Sequence, residues 1–528
     1  MKGLIVHQIL DRTVQTFPNQ VVVSGNTRLT YSQFYERVLR LAWSLYQQGV
    51  EKGTVAGVLD VNTHRYLELH YALSMLGAVV HTINFRLPAE DLVYTMAHAG
   101  DEWVFVSDVF LPSVRPLAAK FPNWVLLSDD PHISLPEAKR AFRYEELVAS
   151  GRPERRPQAD QVGEMVPFSI FYTTGTTGKP KGIQYRQREI TLGALQLFHH
   201  LALHITGAKV DSRDVFMPLI PFFHIHGWGT ALFVPYLGAK LVLPGKANPA
   251  EQVELIQKEG VTWLNMVPTQ LHLLLETPGF GKVKVLTGGS PLPTGLARRS
   301  DQAGVRFSVI YGGSDQLGTT ISVVPEGAEP ESEEAREILR TRMLPFPMVD
   351  VSIRNKEGNE VPHDGNSIGE IWVRSPWLPA GYYKDPERSR ESYSEGWFRS
   401  GDLGVLHPNG LLSVVDREKD AVKSGGEWIV TSVVEALLSE HPGVGLAAVI
   451  ARLDEQWSER PLAVVKPARP VTEQELRQFL EEKAAQGKIA RFWIPDAFVF
   501  VEELPLTSAG KVNKVALRQK YGAAAERK

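Results

Sequence analysis

Apolar and polar positions along the chain follow two rhythms. Short β-rich apolar runs at Trp103–Val106, Val166–Tyr172, Val261–Val267, Val283–Leu286 and Arg306–Tyr311 alternate with longer amphipathic stretches such as Pro249–Lys258. This alternation of strand-like and helix-like segments predicts α/β layers built on largely parallel sheets. Runs end repeatedly in glycine turns, at Gly175–Gly178, Gly288–Gly289 and Gly312–Gly313. Ligands in open α/β sheets bind beyond the carboxyl ends of the strands, so these turns are the first candidates for a site.

After about residue 420 the texture changes. Gly443–Lys466 predicts strand–loop–strand, and Thr472-Glu473-Gln474-Glu475 is a capping box for a helix running to about Ala485. Asp496–Glu502 predicts a further strand before the loop Leu504–Lys511. The result is a compact α+β unit of roughly a hundred residues. The junction Asp416-Arg417-Glu418-Lys419-Asp420 is dense in charge and lacks an apolar anchor, so a hinge is expected there. The expected division is a large unit over 1–417 and a small mobile one over 418–528. Gly151–Gly163, polar and with two prolines, reads as a surface linker, and the acidic Pro325–Glu337 as a solvated loop entering a helix.

Composition narrows the classes. At about 150 residues per domain, 528 residues correspond to three or four domain-sized units. Hydrophobic content of 43% with 22% charged residues is that of a folded, soluble protein. With 57 Lys+Arg against 60 Asp+Glu, the net charge of −3 gives no general attraction for nucleic acid or anionic membrane. The absence of cysteine removes disulfides, thiolate metal sites and cysteine nucleophiles, and agrees with a cytoplasmic setting. The first residues carry too short an apolar run for a signal peptide. Tyr71–Val80 has about half the ~20 residues needed to span a bilayer, and Thr230–Leu243 is interrupted by Pro235 and Lys240. No integral membrane contact is expected.

The most informative segment is Tyr172–Gly182, YTTGTTGKPKG. Four threonine hydroxyls, three glycines and two lysines follow directly on an apolar strand. Glycines let backbone N–H groups approach phosphate oxygens, hydroxyls donate further bonds, and lysines supply positive charge. The GxxxxGK[ST] spacing of P-loop NTPases is not met, since only two residues separate Gly175 and Gly178 and Pro180 follows Lys179. The dinucleotide fingerprint GxGxxG is also absent from this loop.

YTTGTTGKPKG resembles the signature loop of the adenylate-forming superfamily: acyl-CoA synthetases, luciferases and peptide-synthetase adenylation domains. The resemblance runs through nearly the whole chain in the family's order. It includes Gly77–Leu87 (GAVVHTINFRL), Pro221–Gly229 (PFFHIHGWG), Thr287–Ser290 (TGGS) and Tyr311–Asp315 (YGGSD). Gly396–Asp402 (GWFRSGD), Asp416–Glu427 (DREKDAVKSGGE) and Pro505–Lys511 (PLTSAGK) complete the set. His81–Leu87, His224 with Trp228, and GGEWI at Gly425–Ile429 are most similar to medium- and long-chain fatty acyl-CoA synthetases.

The resemblance implies a large multi-subdomain α/β unit with a small mobile α+β C-terminal domain. It also implies ATP-dependent activation of a carboxylic acid to an acyl-adenylate, then transfer to coenzyme A, with Mg²⁺ as cofactor. A carboxylate approaching a polyphosphate needs cations to offset the repulsion, and no protein nucleophile is needed. By the same resemblance, Thr173, Thr174, Gly175, Thr176, Thr177, Gly178 and Lys181 grip the β- and γ-phosphates. Lys511, which alone would read as an exposed lysine near a chain end, reaches the α-phosphate and the substrate carboxylate. Asp402 takes the ribose hydroxyls and Tyr311 offers a flat face to adenine. Gly288, Gly289, Ser290 and Gly312 bring backbone against the nucleotide, and Arg417 contacts it near the hinge at Lys419. His224 lies beside the acyl carboxylate, and Trp228 gates an apolar tunnel. These two stand at i and i+4, on one side if helical. His224 and His226 lack a third ligand, so no metal pair is expected. Gly425 and Gly426 enter the site after rotation of the small domain, and a homodimer is expected because close relatives are often dimers.

Two departures stand out. The family usually has Thr-Glu after YGx, where this chain has Ser314-Asp315; the resemblance gives the metal to Asp315 and a nucleotide contact to Ser314. Gln184-Tyr185-Arg186-Gln187 occupies the place of a Ser/Thr-His element. Three readings remain open: a fatty acyl-CoA synthetase, a nucleotide- or acyl-CoA-binding protein with impaired turnover, and an enzyme adenylating an aromatic acid or serving another thiol acceptor.

Overall fold

The apolar runs assemble as parallel strands because helices separate them and cover both faces of the sheets. The computed structural model describes residues 3–157, 162–173, 179–325, 327–329, 332–424, 427–507 and 510–523, without the side chains of 427 and 428. Among the described residues the strands form four sheets, of nine, seven, five and five strands.

In the seven-stranded sheet, strands Arg140–Arg143, Asn123–Leu127, Trp103–Ser107, Val55–Leu59, Val79–Thr82 and Pro167–Thr173 lie parallel in that order. Strand Lys181–Arg186 closes the edge antiparallel, with Thr173 opposite Lys181. The nine-stranded sheet has a parallel centre of Arg306–Gly313, Lys284–Gly288, Trp263–Met266, Val215–Pro218, Lys240–Leu243 and Val21–Ser24. Between the two sheets lies helix His64–Leu76, buried at every residue. A helix packed on all sides shows little apolar periodicity. The apolar stretch from Tyr71 is therefore the second half of this helix together with strand Val79–Thr82. Among the described residues no helix is long and apolar enough to cross a membrane.

A third, antiparallel sheet ends at strand Leu412–Arg417. The fourth belongs to the small C-terminal domain. There strands Val444–Asp454 and Ser458–Pro467 form a long hairpin, and Ala497–Phe500 adds parallel to the second of them. Helix Glu473–Ala485 starts at the expected capping box, with the Thr472 hydroxyl accepting from the Glu475 N–H at 3.3 Å and the Glu475 carboxylate accepting from the Thr472 N–H at 2.7 Å. Its core is separate, built on Val434, Leu438, Val449, Val465, Leu476 and Leu480.

Element boundaries differ from the sequence reading where a neighbouring helix claims residues. The strand expected over Val261–Val267 is Trp263–Met266, because the Val261 N–H closes the preceding helix on the Ile256 carbonyl and Pro268 opens the next helix. Gly151, expected on the surface, is buried so closely that an added Cβ would lie 2.1 Å from the Arg40 carbonyl oxygen.

Removing the Thr472 hydroxyl tests how far the cap supports the small domain. Thr472→Ala is expected to cost about 1 kcal/mol, read as a lower urea midpoint by circular dichroism, with Thr472→Ser close to the unmodified protein.

Candidate functional site

The carboxyl ends of both large sheets open onto one cavity of about 630 Å³. Asn84 follows strand Val79–Thr82, Ile220 follows Val215–Pro218, Val267 follows Trp263–Met266, and Gly289 follows Lys284–Gly288. The third sheet adds Ser400, Gly401 and Arg417, and the C-terminal domain adds Thr507 and Lys511.

One arm is apolar. Helix Gln187–Leu203 contributes only Ile190, Gly193, Ala194 and Leu197 to the wall, facing Ile220, Ile225 and Trp228. His224 and Trp228 flank a left-handed turn and do not sit on an ordinary helix: φ is 48° at Ile225, 51° at His226, 64° at Gly227, 55° at Trp228 and 77° at Gly229. Left-handed backbone costs roughly 1–2 kcal/mol at each residue with a Cβ, so the surroundings must enforce it. Buried amides do so. The Asn265 side chain donates to the Gly227 carbonyl at 2.8 Å and accepts from the Leu219 N–H at 3.1 Å. Asn62 donates to the Pro218 and Ile220 carbonyls and accepts from the Phe222 N–H at 2.7 Å.

His226 is pinned from behind. His70 donates from Nδ1 to the Tyr66 carbonyl at 2.7 Å, so its Nε2 must accept from His226 Nδ1, 2.5 Å away. Burial keeps both rings neutral at pH 7. Burial pulls His70 down to about 4, and burial beside His70 holds His226 well below the ordinary value.

The other arm is charged. Lys181 lies with its ammonium 4.5 Å from the centre of the Tyr382 ring, and burial lowers its pKa against the opposing pull of Asp315. Burial raises Asp315, while the Tyr382 hydroxyl and Lys181 act the other way. Asp402 takes the Tyr311 hydroxyl at 2.9 Å on one oxygen and Arg417 Nε at 3.3 Å on the other. The Lys511 side chain passes over Gly289, where φ is +84° and an added Cβ would lie 3.0 Å from Lys511 Cε. Burial and the neighbouring Arg417 lower Lys511 to about 8 despite Asp402, Asp315 and Asp420.

Of the expected site residues, Thr173, Lys181, His224, Trp228, Gly289, Gly312, Ser314, Asp315, Arg417, Lys419 and Lys511 line this cavity. Tyr311 and Asp402 stand one step behind, joined to each other and to Arg417. Gly288 is held within the sheet, where an added Cβ would meet the Ile310 carbonyl oxygen at 2.5 Å, and Ser290 is not on the wall. Thr174, Gly175, Thr176, Thr177, Gly178, Gly425 and Gly426 lie outside the described residues. The charged junction is anchored after all, by a polar group: the buried Asp416 carboxylate accepts from the Thr431 N–H at 2.8 Å and the Thr431 hydroxyl at 2.7 Å.

Sequence reasoning missed three tyrosines. Tyr185 donates to the Ser314 carbonyl at 2.6 Å, Tyr393 to the Asp315 carbonyl at 2.7 Å, and Tyr382 to the Asp315 carboxylate. Tyr185 belongs to the Gln184–Gln187 departure and Ser314-Asp315 is the other, so the two departures touch. The pairing of departures was the only available signal.

The histidine pair predicts an acid sensitivity. An unfolded histidine binds its proton near 6.5 and folded His70 near 4, so the unfolded state takes up more protons between those values and stability falls as pH falls. Replacing His70 by Gln is expected to remove a slope of up to about 1.4 kcal/mol per pH unit. Urea midpoints of both proteins at pH 7, 6 and 5 measure it.

The description "AMP-binding enzyme" matches residues 10–383, and "AMP-binding enzyme C-terminal domain" matches 433–511. A long-chain-fatty-acid–CoA ligase of Thermus thermophilus is 36% identical, over 97% of this chain and 94% of its own. A medium-chain-fatty-acid–CoA ligase of Ectopseudomonas oleovorans is 34% identical, over 95% and 92%. Among solved structures, the anthranilate CoA ligase AuaEII in complex with anthranoyl-AMP superimposes with a TM-score of 0.85, covering 98% of this chain and 97% of its own. Its 22% identity makes that a likeness of fold.

Proposed function

The chain belongs to the AMP-binding enzyme family, and on that premise we propose that it is an acid–thiol ligase for medium- or long-chain aliphatic acids, using ATP, Mg²⁺ and coenzyme A. One observation carries the reading: a lysine of the C-terminal domain reaches a cavity whose charged arm faces Lys181, Asp315 and Arg417 and whose other arm is apolar. The curated relatives named above, ligases of long- and medium-chain fatty acids, support the aliphatic assignment.

In the first half-reaction a carboxylate oxygen attacks the α-phosphorus of ATP. The bond from that phosphorus to the bridging oxygen of the β-phosphate breaks, and pyrophosphate leaves. Lys511 and Arg417 offset the negative charge that gathers around the α-phosphate, while Lys181 and Thr173 hold the leaving phosphates. Asp402 orients the ribose and Tyr311 braces that carboxylate. His224 and the rigid left-handed turn direct the carboxylate, with its tail in the apolar arm beside Trp228. In the second half-reaction the thiol sulfur of coenzyme A attacks the acyl carbonyl carbon, the thiol proton passes to solvent, and the carbonyl–oxygen bond breaks with its electron pair leaving on AMP.

Among the described residues no group of three or more His, Asp or Glu side chains gathers as a metal cage. Magnesium does not require one, since it binds through one or two carboxylates together with phosphates and water. Asp315, a carboxylate on the wall of the charged arm, fits that role and would hold it. The ion supplies neutralisation of phosphate charge.

Incubation with ATP, Mg²⁺, CoA and a panel of carboxylic acids should release AMP only with an acid, best with aliphatic chains. Tight ATP binding without AMP release would favour a binding protein, and preference for benzoate-type acids would overturn the substrate class.

Lys511→Ala is expected to lose acid-dependent pyrophosphate exchange by about 100-fold or more, as for removal of a group stabilising transition-state charge. The same variant should still convert preformed acyl-adenylate to thioester. Equal loss of both steps in a folded variant would remove the assignment of Lys511. In the unmodified protein, exchange measured as kcat/KM for ATP should decline as pH rises through about 8, where free Lys511 loses its proton. The activity of Lys511→Arg should be independent of pH across that range, because arginine stays protonated.

A further inference from the structure

Helix Thr294–Gln302 of the large unit has glycine at its second position, Gly295. Its φ is not in the left-handed region, so the backbone does not require glycine there, and glycine weakens a helix relative to alanine. The requirement comes from a neighbour. A Cβ on Gly295 would lie 2.0 Å from the backbone oxygen of Ser439 and 2.7 Å from its carbonyl carbon. Those are backbone atoms and cannot swing aside. The Gly295 N–H also donates to Ser439 Oγ at 3.1 Å, and Ser439 Oγ donates to the Ala436 carbonyl at 2.5 Å.

Ser439 closes helix Thr431–Leu438 of the C-terminal domain. The other end of that helix is held as well. Asp416, which precedes the hinge, accepts from both the N–H and the hydroxyl of Thr431, and the Ser432 hydroxyl donates to the Val415 carbonyl at 2.5 Å. Within the C-terminal domain, Lys514 ties the helix through Thr431 Oγ1 at 2.8 Å and Glu435 at 2.7 Å. Beside Lys511, the Thr269 hydroxyl donates to the Gly510 carbonyl at 2.5 Å. One short helix is therefore gripped at both ends by the large unit, in the orientation that inserts Lys511.

We infer that Gly295 is a docking glycine, a positioning residue for adenylation. Its missing side chain admits the Ser439 backbone and so seats the C-terminal domain with Lys511 in the cavity. The inference rests on the proposed two-step function. Rotation about Lys419 carries Ser439 away from Gly295, so an added methyl group obstructs the first half-reaction and leaves the second free. The cavity itself is untouched, because Gly295 is not on its wall.

The test is Gly295→Ala in the full chain. Its melting temperature should equal or exceed that of the unmodified protein, because alanine favours the helix. Acid-dependent pyrophosphate exchange should drop about 100-fold, the scale of a 1 Å misplacement of a reacting group. Conversion of preformed acyl-adenylate to thioester should stay within about twofold of the unmodified rate, a change smaller than the loss of one hydrogen bond. Ser439→Ala, which removes a hydrogen bond and no space, should show a milder drop of about fivefold in exchange alone. Limited proteolysis gives a readout independent of activity: trypsin should cleave at Arg417 or Lys419 faster in Gly295→Ala. Loss of both half-reactions together in the folded variant, or unchanged exchange, overturns the docking role. If the unmodified protein shows no exchange with any acid, the proposed function fails, and equal tryptic cleavage of the two proteins then overturns the seat on its own.

Discussion

The site depends on holding the ammonium of Lys511 inside a cavity that belongs mainly to another part of the chain. Burial and the adjacent Arg417 disfavour the charge, Asp402, Asp315 and Asp420 favour it, and the balance leaves Lys511 near 8. A cation in that condition gains from a nearby anion. The charge stays there because the C-terminal domain is docked through Asp416 at one end of helix Thr431–Leu438 and through Gly295 at the other. Hydrogen bonds to backbone join the two parts at Gly295, Thr269 and Asp416. The C-terminal domain keeps its own core, built on Val434, Leu438, Val449 and Val465, apart from that seat.

The apolar arm relies on the opposite strategy, rigidity. Five consecutive left-handed residues from Ile225 to Gly229 are an unfavourable path, and only glycine takes it freely. Asn62, Asn265 and the His70–His226 pair hold it from buried positions, the amides bonded to backbone and the two rings to each other. His224 and Trp228 are thereby fixed at either end of a turn that an ordinary helix could not supply. The strain sits on the wall of the cavity, where strained backbone is characteristically found.

Three tyrosine hydroxyls support the Ser314-Asp315 turn. Aspartate reaches one methylene less than glutamate, and the turn is held on both carbonyls and on the carboxylate by Tyr185, Tyr393 and Tyr382. The two places where this chain departs from the family pattern are in contact, and Tyr185 is the residue that joins them.

The α/β alternation, the strand leading into YTTGTTGKPKG, the capped helix from Thr472 and the separate C-terminal unit were all legible in the sequence. Each is written in local periodicity, a turn or a cap, within a few residues of itself. The motif residues Lys181, Asp315, Arg417 and Lys511 were singled out by the family resemblance, and the fold brings all four to the wall of one cavity. Tyr185, Tyr382, Tyr393, Asn62, Asn265 and the His70–His226 pair carry no such mark, because their partners lie far away in the chain and a lone tyrosine or asparagine reads as ordinary core. The handedness of the turn at Ile225–Gly229 was equally hidden: i and i+4 spacing is the same for either hand, and tertiary hydrogen bonds chose the rarer one. What the sequence determined alone was the set of elements and the type of chemistry. Which backbone meets Gly295, and therefore where Lys511 points, was decided only when two distant segments packed against each other.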